Sequence, residues 1–379
     1  MPESKVSLRE YMQDNKTALD EIPYLNLSGQ SVSMYRFLGS LPEEYLRVLD
    51  VMKYTPEQLR GIYKILDSID SGGFGHGPVS VKYNHYRLHP RYVNTRDTGV
   101  VNLLNIMAKH CDITSESVII DFLAGSGYLS KKLKQYWSKS LPPKVFGIDV
   151  SSSMVHQAGL NEEIVFRSYH GGHLFKDNSA DFAISCYGTH HIPFEERDNF
   201  VKAAHDVLKP GGKFILHDFE EQSPTARWYS DVIDKYRLCG HPYKHFEQAE
   251  LTNLFSKYFA EVEVVKVYDP FVLDGEDPTK LKREFFEYLI NFFALEKLMS
   301  ALENEDEWNE AEKAIEGTFT FQDNDMNGLI QNSAEQGTLF SSEDVPIVSR
   351  ITILPNSDGS HRLIAPRIAL AGIGYKDAA

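Results

Sequence analysis

Cysteine is scarce in this chain of 379 residues. The three cysteines, Cys111, Cys186 and Cys239, are odd in number and lie far apart along the sequence. A disulfide framework uses cysteines in pairs, and a zinc site uses cysteines or histidines at short, regular spacings. The sequence has neither pattern, which favours a protein of a reducing compartment.

Positive charge and long apolar runs are also lacking. Lysine and arginine number 39 against 54 aspartates and glutamates, which gives a formal net charge of −15. An acidic surface repels the phosphates of nucleic acids and of anionic lipids. No segment has the length and apolarity of a membrane-spanning helix, and the first residues contain no apolar signal core. We therefore predict a cytoplasmic protein with no nucleic-acid partner and no membrane partner.

What the chain does contain is a strand followed by a turn of small residues. The stretch VIIDFLAGSGYLSKKL, residues 118–133, begins with a β-branched run typical of a buried strand, which Asp121 closes. Residues 124–127 are small, so the backbone there can approach a ligand closely. Apolar residues at helical spacing follow over 129–136. This order is typical of the first unit of a doubly wound sheet, although the same turn also occurs as a plain strand–helix corner.

A second unit ends in another aspartate. Residues 145–148 predict a strand, and Asp149 closes it. This acid follows the turn by about 20–30 residues, the spacing at which a carboxylate binds the ribose diol of a nucleotide. Ser151 is a suitable N-cap for the helix that follows. The two units together favour a nucleotide-like ligand over a plain corner.

Further strands are predicted within residues 182–186, 213–216, 259–270 and 361–376. The motifs DFLAGSG, GIDVSSSM, YGTHHI and VLKPGGKFILHD follow one another along the chain. In order and composition they resemble the motifs of class I S-adenosylmethionine (SAM)-dependent methyltransferases. The resemblance covers roughly residues 115–270 and the final strand near 362–376. Dinucleotide-dependent dehydrogenases share only the first motif and do not explain the sequence LKPGG.

The resemblance implies an α/β fold with a doubly wound, seven-stranded methyltransferase sheet, a helical N-terminal cap and a helical insertion before the last strand. The expected domains are an N-terminal cap or lid over residues 1–112, a SAM-binding core over 113–270, a helical insertion with an irregular segment over 271–360, and the last core strand over 361–379. Within the cap, Thr55 and Gln58 form a capping box ahead of an apolar helical stripe that ends near Gly72.

The resemblance also implies SAM as the cofactor. The residues expected to bind it are Asp121, Ala124, Gly125, Gly127, Asp149, Val150, Met154, Tyr169, His170, Tyr187, Arg87 and Arg91. Two positions depart from the family pattern. Leu123 stands where the family has its first glycine, and no acid precedes the fourth strand to bind adenine. Tyr169, His170 or a backbone carbonyl would bind the adenine instead.

The basic and aromatic segment before the first core strand is expected to close over the cofactor. Arg87 or Arg91 would pair with the methionine carboxylate, because a guanidinium binds a carboxylate through two hydrogen bonds. The glycine-rich residues 70–78 ahead of it predict a flexible linker. The alternative is an ordinary solvated surface. The apolar stripe of the insertion, residues 277–303, is expected to pack on the core and to serve as a lid or dimer face.

Methyl transfer from SAM requires little beyond bringing the acceptor to the activated methyl group. A base is needed only where the acceptor must lose a proton, and His190 and His191 are the candidates. A structural role for both histidines is the alternative. Tyr187 would place its ring against the sulfonium, a contact of about 0.5–2 kcal/mol. No metal is predicted, because no carboxylate or cysteine completes a ligand spacing with these histidines.

The function predicted from the sequence is a SAM-dependent methyltransferase that acts on a small molecule in specialised metabolism, as a monomer or homodimer. One alternative is an enzyme of the same fold that cyclises SAM to azetidine-2-carboxylic acid and releases methylthioadenosine. Another is a SAM-binding protein without catalytic activity. These hypotheses differ in the product that each expects from SAM. No motif in the sequence identifies the acceptor.

Overall fold

The structure is a computed structural model. It describes residues 7–72, 83, 85–110, 112–137, 141–169, 174–221, 223–236, 244–295, 297–298, 304–322, 325–330, 340 and 345–378. The expected linker falls mostly on residues 73–78, outside the described residues, as do His170, Cys111 and Cys239.

The strands are β1 (Pro23–Leu25), β2 (Ser31–Ser33), β3 (Val118–Phe122), β4 (Lys144–Asp149), β5 (Val165–Arg167), β6 (Ala180–Cys186), β7 (Leu208–Phe219), β8 (Glu261–Tyr268), β9 (Phe271–Gly275), β10 (Leu329–Ile330), β11 (Thr352–Pro355), β12 (His361–Ala365) and β13 (Ile368–Tyr375). The central sheet has the order β10-β8-β13-β7-β6-β3-β4-β5. Strands β7, β6, β3, β4 and β5 are parallel, and β13 runs antiparallel between β7 and β8. Seven of these strands form the predicted methyltransferase sheet, which confirms the fold class, and the two-residue β10 extends its edge.

The helices are α1 (Leu8–Asp14), α2 (Lys16–Asp20), α3 (Met34–Ser40), α4 (Glu43–Leu46), α5 (Pro56–Gly72), α6 (Asp97–His110), α7 (Tyr128–Tyr136), α8 (Ser152–Leu160), α9 (Phe194–Val207), α10 (Pro224–Arg227), α11 (Asp234–Tyr236), α12 (Gln248–Phe255), α13 (Pro278–Phe292) and α14 (Glu305–Thr318). Helices α6 and α7 cover one face of the sheet, where Ile119 packs. Helices α9 and α12 and the N-terminal elements cover the other face, where Ile120 and Phe122 pack. Successive residues of a strand point to opposite faces, so β3 is apolar on both sides. In the part of the chain that the structure describes, no helix has the length and apolarity to cross a bilayer.

The N-terminal region is packed onto the sheet. The predicted capping box opens α5, with the Thr55 amide donating to Gln58 at 2.8 Å and the Gln58 amide donating to the Thr55 hydroxyl at 3.2 Å. Leu59 and Leu66 of this helix are fully buried in one hydrophobic cluster with the sheet. The N-terminal region and the sheet therefore share one core, and a lid role for this region stays a prediction. The domain boundaries themselves remain a prediction.

The insertion between β8 and β13 contains more strand than expected. Strands β11, β12 and β9 form an antiparallel sheet of their own, against which α13 packs. Residues 361–365 therefore belong to the insertion, and the prediction that the last core strand begins at 361 is wrong. The physical reason is Pro366, which has no N–H to continue a ladder and separates β12 from β13.

Candidate active site

A cavity of about 380 Å³ lies at the carboxyl ends of β3, β4 and β6. Ligands of doubly wound sheets bind at this edge. Most of the predicted site residues line it: Arg87, Asp121, Ala124, Gly125, Asp149, Val150, Met154, Tyr187, His190 and His191. The cavity therefore brings the predicted cofactor residues together with both predicted bases.

The turn after β3 keeps its shape without the family's first glycine. Leu123 has a φ of 61°, in the left-handed region that glycine adopts most readily. A Cβ atom added at Gly188 would lie 2.9 Å from the Cβ atom of Leu123. The absence of a side chain at Gly188 thus makes room for the leucine, which explains how this departure is accommodated.

The two remaining glycines of the turn differ in what surrounds them. A Cβ atom at Gly125 would meet only the Arg87 Nη1 atom at 3.4 Å and the Met154 Sδ atom at 4.0 Å. A Cβ atom at Gly127 would lie 2.5 Å from the Cβ atom of Glu163. Gly125 therefore keeps space open beside the cavity. Gly127 is required for packing and does not line the cavity, contrary to its predicted cofactor role.

Asp149 is buried at the end of β4 and is held by backbone amides. Its Oδ2 atom accepts from the Gly125 amide at 2.8 Å and its Oδ1 atom from the Ser151 amide at 2.9 Å. Burial raises the pKa of Asp149 to about 6, and the two amides oppose that rise. A carboxylate has about four acceptor positions, so two remain for ligand hydroxyls. Ser151 caps α8 as predicted, accepting from the Met154 amide.

Two charged groups beside the turn have polar atoms without a hydrogen-bond partner among the described residues. They are the Oδ2 atom of Asp121 and the Nε atom of Arg87. Burial, and then repulsion by Asp149, raise the pKa of Asp121 well above its usual range. A buried polar atom without a partner is destabilising, so both atoms are suited to a ligand that supplies one.

Tyr187 follows β6 in a left-handed conformation, with a φ of 60°. Strained backbone of this kind in a non-glycine residue is concentrated at functional sites. The Tyr187 hydroxyl donates to Asp269 at 2.7 Å, and Arg367 pairs with the same carboxylate at 2.9 Å. The ring lies 5.5 Å from that of Phe219, measured between centroids. Tyr187 is therefore fixed as part of an aromatic cavity wall.

His190 is held by the carboxylate of Asp218, which accepts four hydrogen bonds. The His190 Nδ1 atom lies 2.7 Å from Asp218, which also accepts from the His190 and Phe219 amides and from the Thr189 hydroxyl. Burial would raise the pKa of Asp218, but the His190 ring and these donors hold it well below its usual range. The ionised carboxylate accepts a hydrogen bond from the Nδ1–H group, which favours the tautomer with the lone pair on the His190 Nε2 atom.

Asp218, His190 and His245 form a buried group whose nitrogen and oxygen atoms lie within 4.8 Å of one another. Such a set suits several transition metals by ligand type. The carboxylate, however, already accepts four hydrogen bonds, which fill its lone pairs. A cation would have to displace these donors, so the group fits a hydrogen-bond network better than a metal centre.

Two further predicted cofactor residues lie away from the cavity. Arg91 forms a two-point ion pair with Glu284, at 2.6 Å from Nε and 2.7 Å from Nη2. Its guanidinium is thus paired with Glu284 and does not line the cavity, so its predicted cofactor role has no support from this geometry. Tyr169 packs against the hydrophobic cluster shared with the N-terminal region and does not line the cavity, which leaves the predicted adenine contact without support.

The sequence analysis missed several residues of this site. Arg96 lines the cavity, and Asp218 positions His190. Phe292 and Phe293, at the end of α13, also line the cavity, so the insertion contributes to the site. One signal was available for Asp218, because it ends the strand that follows the LKPGG motif. For the others no local pattern exists.

The match to known proteins lies in the core. Residues 120–216 match the family profile described as a methyltransferase domain. The chain is also similar to the ubiquinone/menaquinone biosynthesis C-methyltransferase UbiE of Wigglesworthia glossinidia brevipalpis, with 24% identity over 147 residues. That alignment covers 36% of this chain and 56% of the relative, so the chain spans about half the length of the curated relative it matches.

Solved structures give weaker likenesses. The YcgJ protein of Bacillus subtilis is 16% identical with a TM-score of 0.42, covering 73% of this chain and 98% of that one. The phosphoethanolamine N-methyltransferase 2 of Haemonchus contortus, solved with S-adenosylhomocysteine, is 13% identical with a TM-score of 0.39. The match covers 78% of this chain and 60% of that one. Likeness at this level carries no argument about activity.

The order of the motifs, the seven core strands and the matched residues 120–216 agree with one another. They confirm the resemblance on which the fold and the cofactor were predicted. Residues 120–216 of this chain thus match a methyltransferase domain, which agrees with the SAM cofactor that the motifs predict.

Proposed function

We propose that this chain transfers the methyl group of SAM to a small-molecule acceptor. The observation that carries the proposal is the shared cavity, whose wall includes both Asp149 and His190. A group suited to a ribose diol and a group suited to proton abstraction thus face one space. The match of residues 120–216 to a methyltransferase domain supports the same conclusion.

The groups beside the glycine turn fit the polar parts of SAM. Asp149 has acceptor positions left for the ribose hydroxyls, and Asp121 and Arg87 have buried atoms without partners. The amino-acid end of SAM carries an ammonium and a carboxylate. Asp121 would accept from the ammonium, and Arg87 would pair with the carboxylate. When bound, SAM supplies a methyl group that its sulfonium makes electrophilic.

His190 would act on the acceptor. His190 lines the cavity and would take a proton from a hydroxyl or amine, while Asp218 would stabilise the imidazolium that results. His191 lines the cavity beside it, with ring centroids 4.2 Å apart. Tyr187 would limit the space around the methyl group and exclude water. The protein's main contribution is the orientation of the two reactants.

The size of the cavity and the net charge of the chain both favour a small molecule as the acceptor. A cavity of about 380 Å³ lies near the lower end of the range for small-molecule sites. The chain carries a net charge of −15, which disfavours a nucleic-acid substrate. The name of the curated relative, a C-methyltransferase of quinone biosynthesis, agrees with this class. A cytoplasmic location and a role in specialised metabolism are part of the same proposal.

The test is the identity of the product formed from SAM. The protein is incubated with SAM alone, and with SAM plus the low-molecular-weight fraction of a cell extract, and the products are separated by mass spectrometry. We expect S-adenosylhomocysteine (SAH) to accumulate only when acceptors are present, and His190→Gln to slow it. Methylthioadenosine formed from SAM alone would contradict methyl transfer and favour cyclisation. SAH binding without any turnover would favour a non-catalytic protein.

A further inference from the structure

Among the described residues, most buried positive charges are paired with carboxylates, and two are not. The buried lysines and arginines of the described residues are Arg87, Arg96, Lys132, Arg167, Arg197 and Arg367. Four of them lie within 3.3 Å of a carboxylate oxygen. Lys132 pairs with Asp97, Arg167 with Asp67 and Asp70, Arg197 with Glu250, and Arg367 with Asp269. The two without such a partner in the described part of the chain, Arg87 and Arg96, both line the active-site cavity.

The surroundings of Arg96 are aromatic. Its guanidinium carbon lies 5.1 Å from the ring centroid of Tyr128, 5.2 Å from that of Tyr187 and 5.4 Å from that of Phe292. It also hydrogen-bonds the phenol of Tyr83; burial would raise the pKa of this phenol, but the charges of Arg96 and Arg87 lower it. Ring faces attract a cation by about 0.5–2 kcal/mol, which does not replace a counter-ion for a buried charge.

The cofactor has one carboxylate, and Arg87 is the better placed of the two arginines to pair with it. The Arg87 Nη1 atom lies 3.4 Å from the position of a Cβ atom on Gly125, and its charge acts on both Asp121 and Asp149. Arg96 lies on the side of Tyr187 and Phe292. After SAM has bound, Arg96 remains a buried cation without an anion.

We propose that the acceptor is a small carboxylic acid whose carboxylate pairs with Arg96. This inference rests on the proposed methyl transfer and names the class of its acceptor. The planar guanidinium fork matches the two oxygens of a carboxylate. The bound acid supplies the missing counter-ion, so that Arg87 and Arg96, the two arginines of the cavity wall without a carboxylate partner among the described residues, are both neutralised in the ternary complex.

The cavity wall also restricts the rest of the acceptor. The ring of Tyr187 contacts Arg96 at one end, and the ring of Phe219 contacts His190 at the other, with centroids 5.4 Å apart. Tyr187 and Phe219 are neighbours, so the two rings connect the surroundings of Arg96 to those of His190. An acceptor that reaches both carries its carboxylate and its nucleophile on opposite ends of an apolar body. Phenolic acids have this form.

The first experiment measures binding of phenolic acids to the SAH-loaded protein. The probes are 4-hydroxybenzoate, 4-hydroxyphenylacetate and 3-(4-hydroxyphenyl)propionate, each with its neutral amide and with the phosphate monoester of matching length. Isothermal titration calorimetry should find an acid that binds about 10- to 100-fold more tightly than its amide. Arg96→Gln should reduce that acid to the affinity of its amide. Amides that bind as tightly as the acids, or phosphates that bind more tightly, would overturn the proposal.

The second experiment asks whether Arg96 is a structural residue or a cofactor residue. Removing an unpaired buried charge should not weaken the fold, so ligand-free Arg96→Met should melt no lower than wild type. The control is Arg367→Met, which removes the ion-pair partner of the buried Asp269 carboxylate and should therefore melt at a lower temperature than wild type. A large loss of stability in Arg96→Met would assign the residue to the fold and contradict the proposal.

The variants also separate this inference from the proposed function. Arg87→Gln should weaken SAH binding, whereas Arg96→Gln should leave it unchanged. Equal weakening by both would place Arg96 in the cofactor site, which overturns the carboxylic acid but leaves methyl transfer standing. Failure of the wild-type protein to bind SAH would overturn the proposed function itself.

Discussion

Replacing Asp149 by asparagine should show how protonation of the Asp149 carboxylate changes the affinity for the cofactor. Burial raises the pKa of Asp149 to about 6 in the ligand-free protein. About nine in ten of these carboxylates are then ionised at pH 7, and about one in ten at pH 5. Because the ionised form is the better acceptor for ribose hydroxyls, the wild-type affinity for SAH should fall about tenfold between these two pH values.

Asparagine imitates the protonated acid and does not titrate. Losing charge-assisted hydrogen bonds should weaken SAH binding at pH 7 by about 1.5–3 kcal/mol, or roughly 10- to 150-fold. The affinity of Asp149→Asn should not change between pH 5 and 8 through this group, so the two curves converge in acid. Isothermal titration calorimetry measures both. A variant with the wild-type pH dependence would refute the reasoning.

The same carboxylate should destabilise the protein without ligand. Its pKa is raised from 3.8 to about 6 on folding, so the folded state binds the proton more tightly than the unfolded state. Stability therefore falls as pH rises from about 4 to about 6, by about 3 kcal/mol in all. Ligand-free Asp149→Asn should melt higher than wild type at pH 7 and at the same temperature near pH 4. A variant that melts lower at pH 7 would show that the charge is already compensated.

Four other substitutions test separate parts of the site. Gly127→Ala should lower the melting temperature, because the added Cβ atom would clash with Glu163. Gly125→Ala should weaken SAH binding with a smaller loss of stability. Thermal melts measure the stability of both variants, and calorimetry measures their SAH affinity. Asp218→Asn should slow turnover by about 10- to 100-fold and leave SAH affinity unchanged, because it disturbs the His190 tautomer; an equal loss of SAH affinity would assign it to the cofactor site. Arg91→Ala should leave SAH affinity unchanged, and a large loss would contradict its assignment to a surface ion pair.

The parts of the fold that were predictable depend on short stretches of sequence. The strand ending at Asp121, the small-residue turn and the strand ending at Asp149 lie within about 30 residues, and local sterics determine their form. The same holds for the capping box of Thr55 and Gln58. Such features are found because their partners are neighbours in the chain.

The parts that were missed depend on distant partners. Arg91 has the composition of a ligand-binding residue, but Glu284, far along the chain, takes its guanidinium. Arg96 has no local feature that separates it from Arg91, and only its burial without a carboxylate does so. His190 was named from the sequence, whereas its partner Asp218 lies one strand away. Pairing across the tertiary structure therefore decides which charged residues are available to a ligand.

The position of β13 has a consequence for biosynthesis. This strand, Ile368–Tyr375, is the last element of the chain, yet it lies between β7 and β8 and pairs with both along its length. While the ribosome is still translating the preceding residues, β7 and β8 each expose an unpaired edge. Exposed edges invite pairing with other chains, and contacts so distant in sequence form slowly. The nascent protein should therefore depend on chaperones until β13 has left the ribosome and paired with both strands.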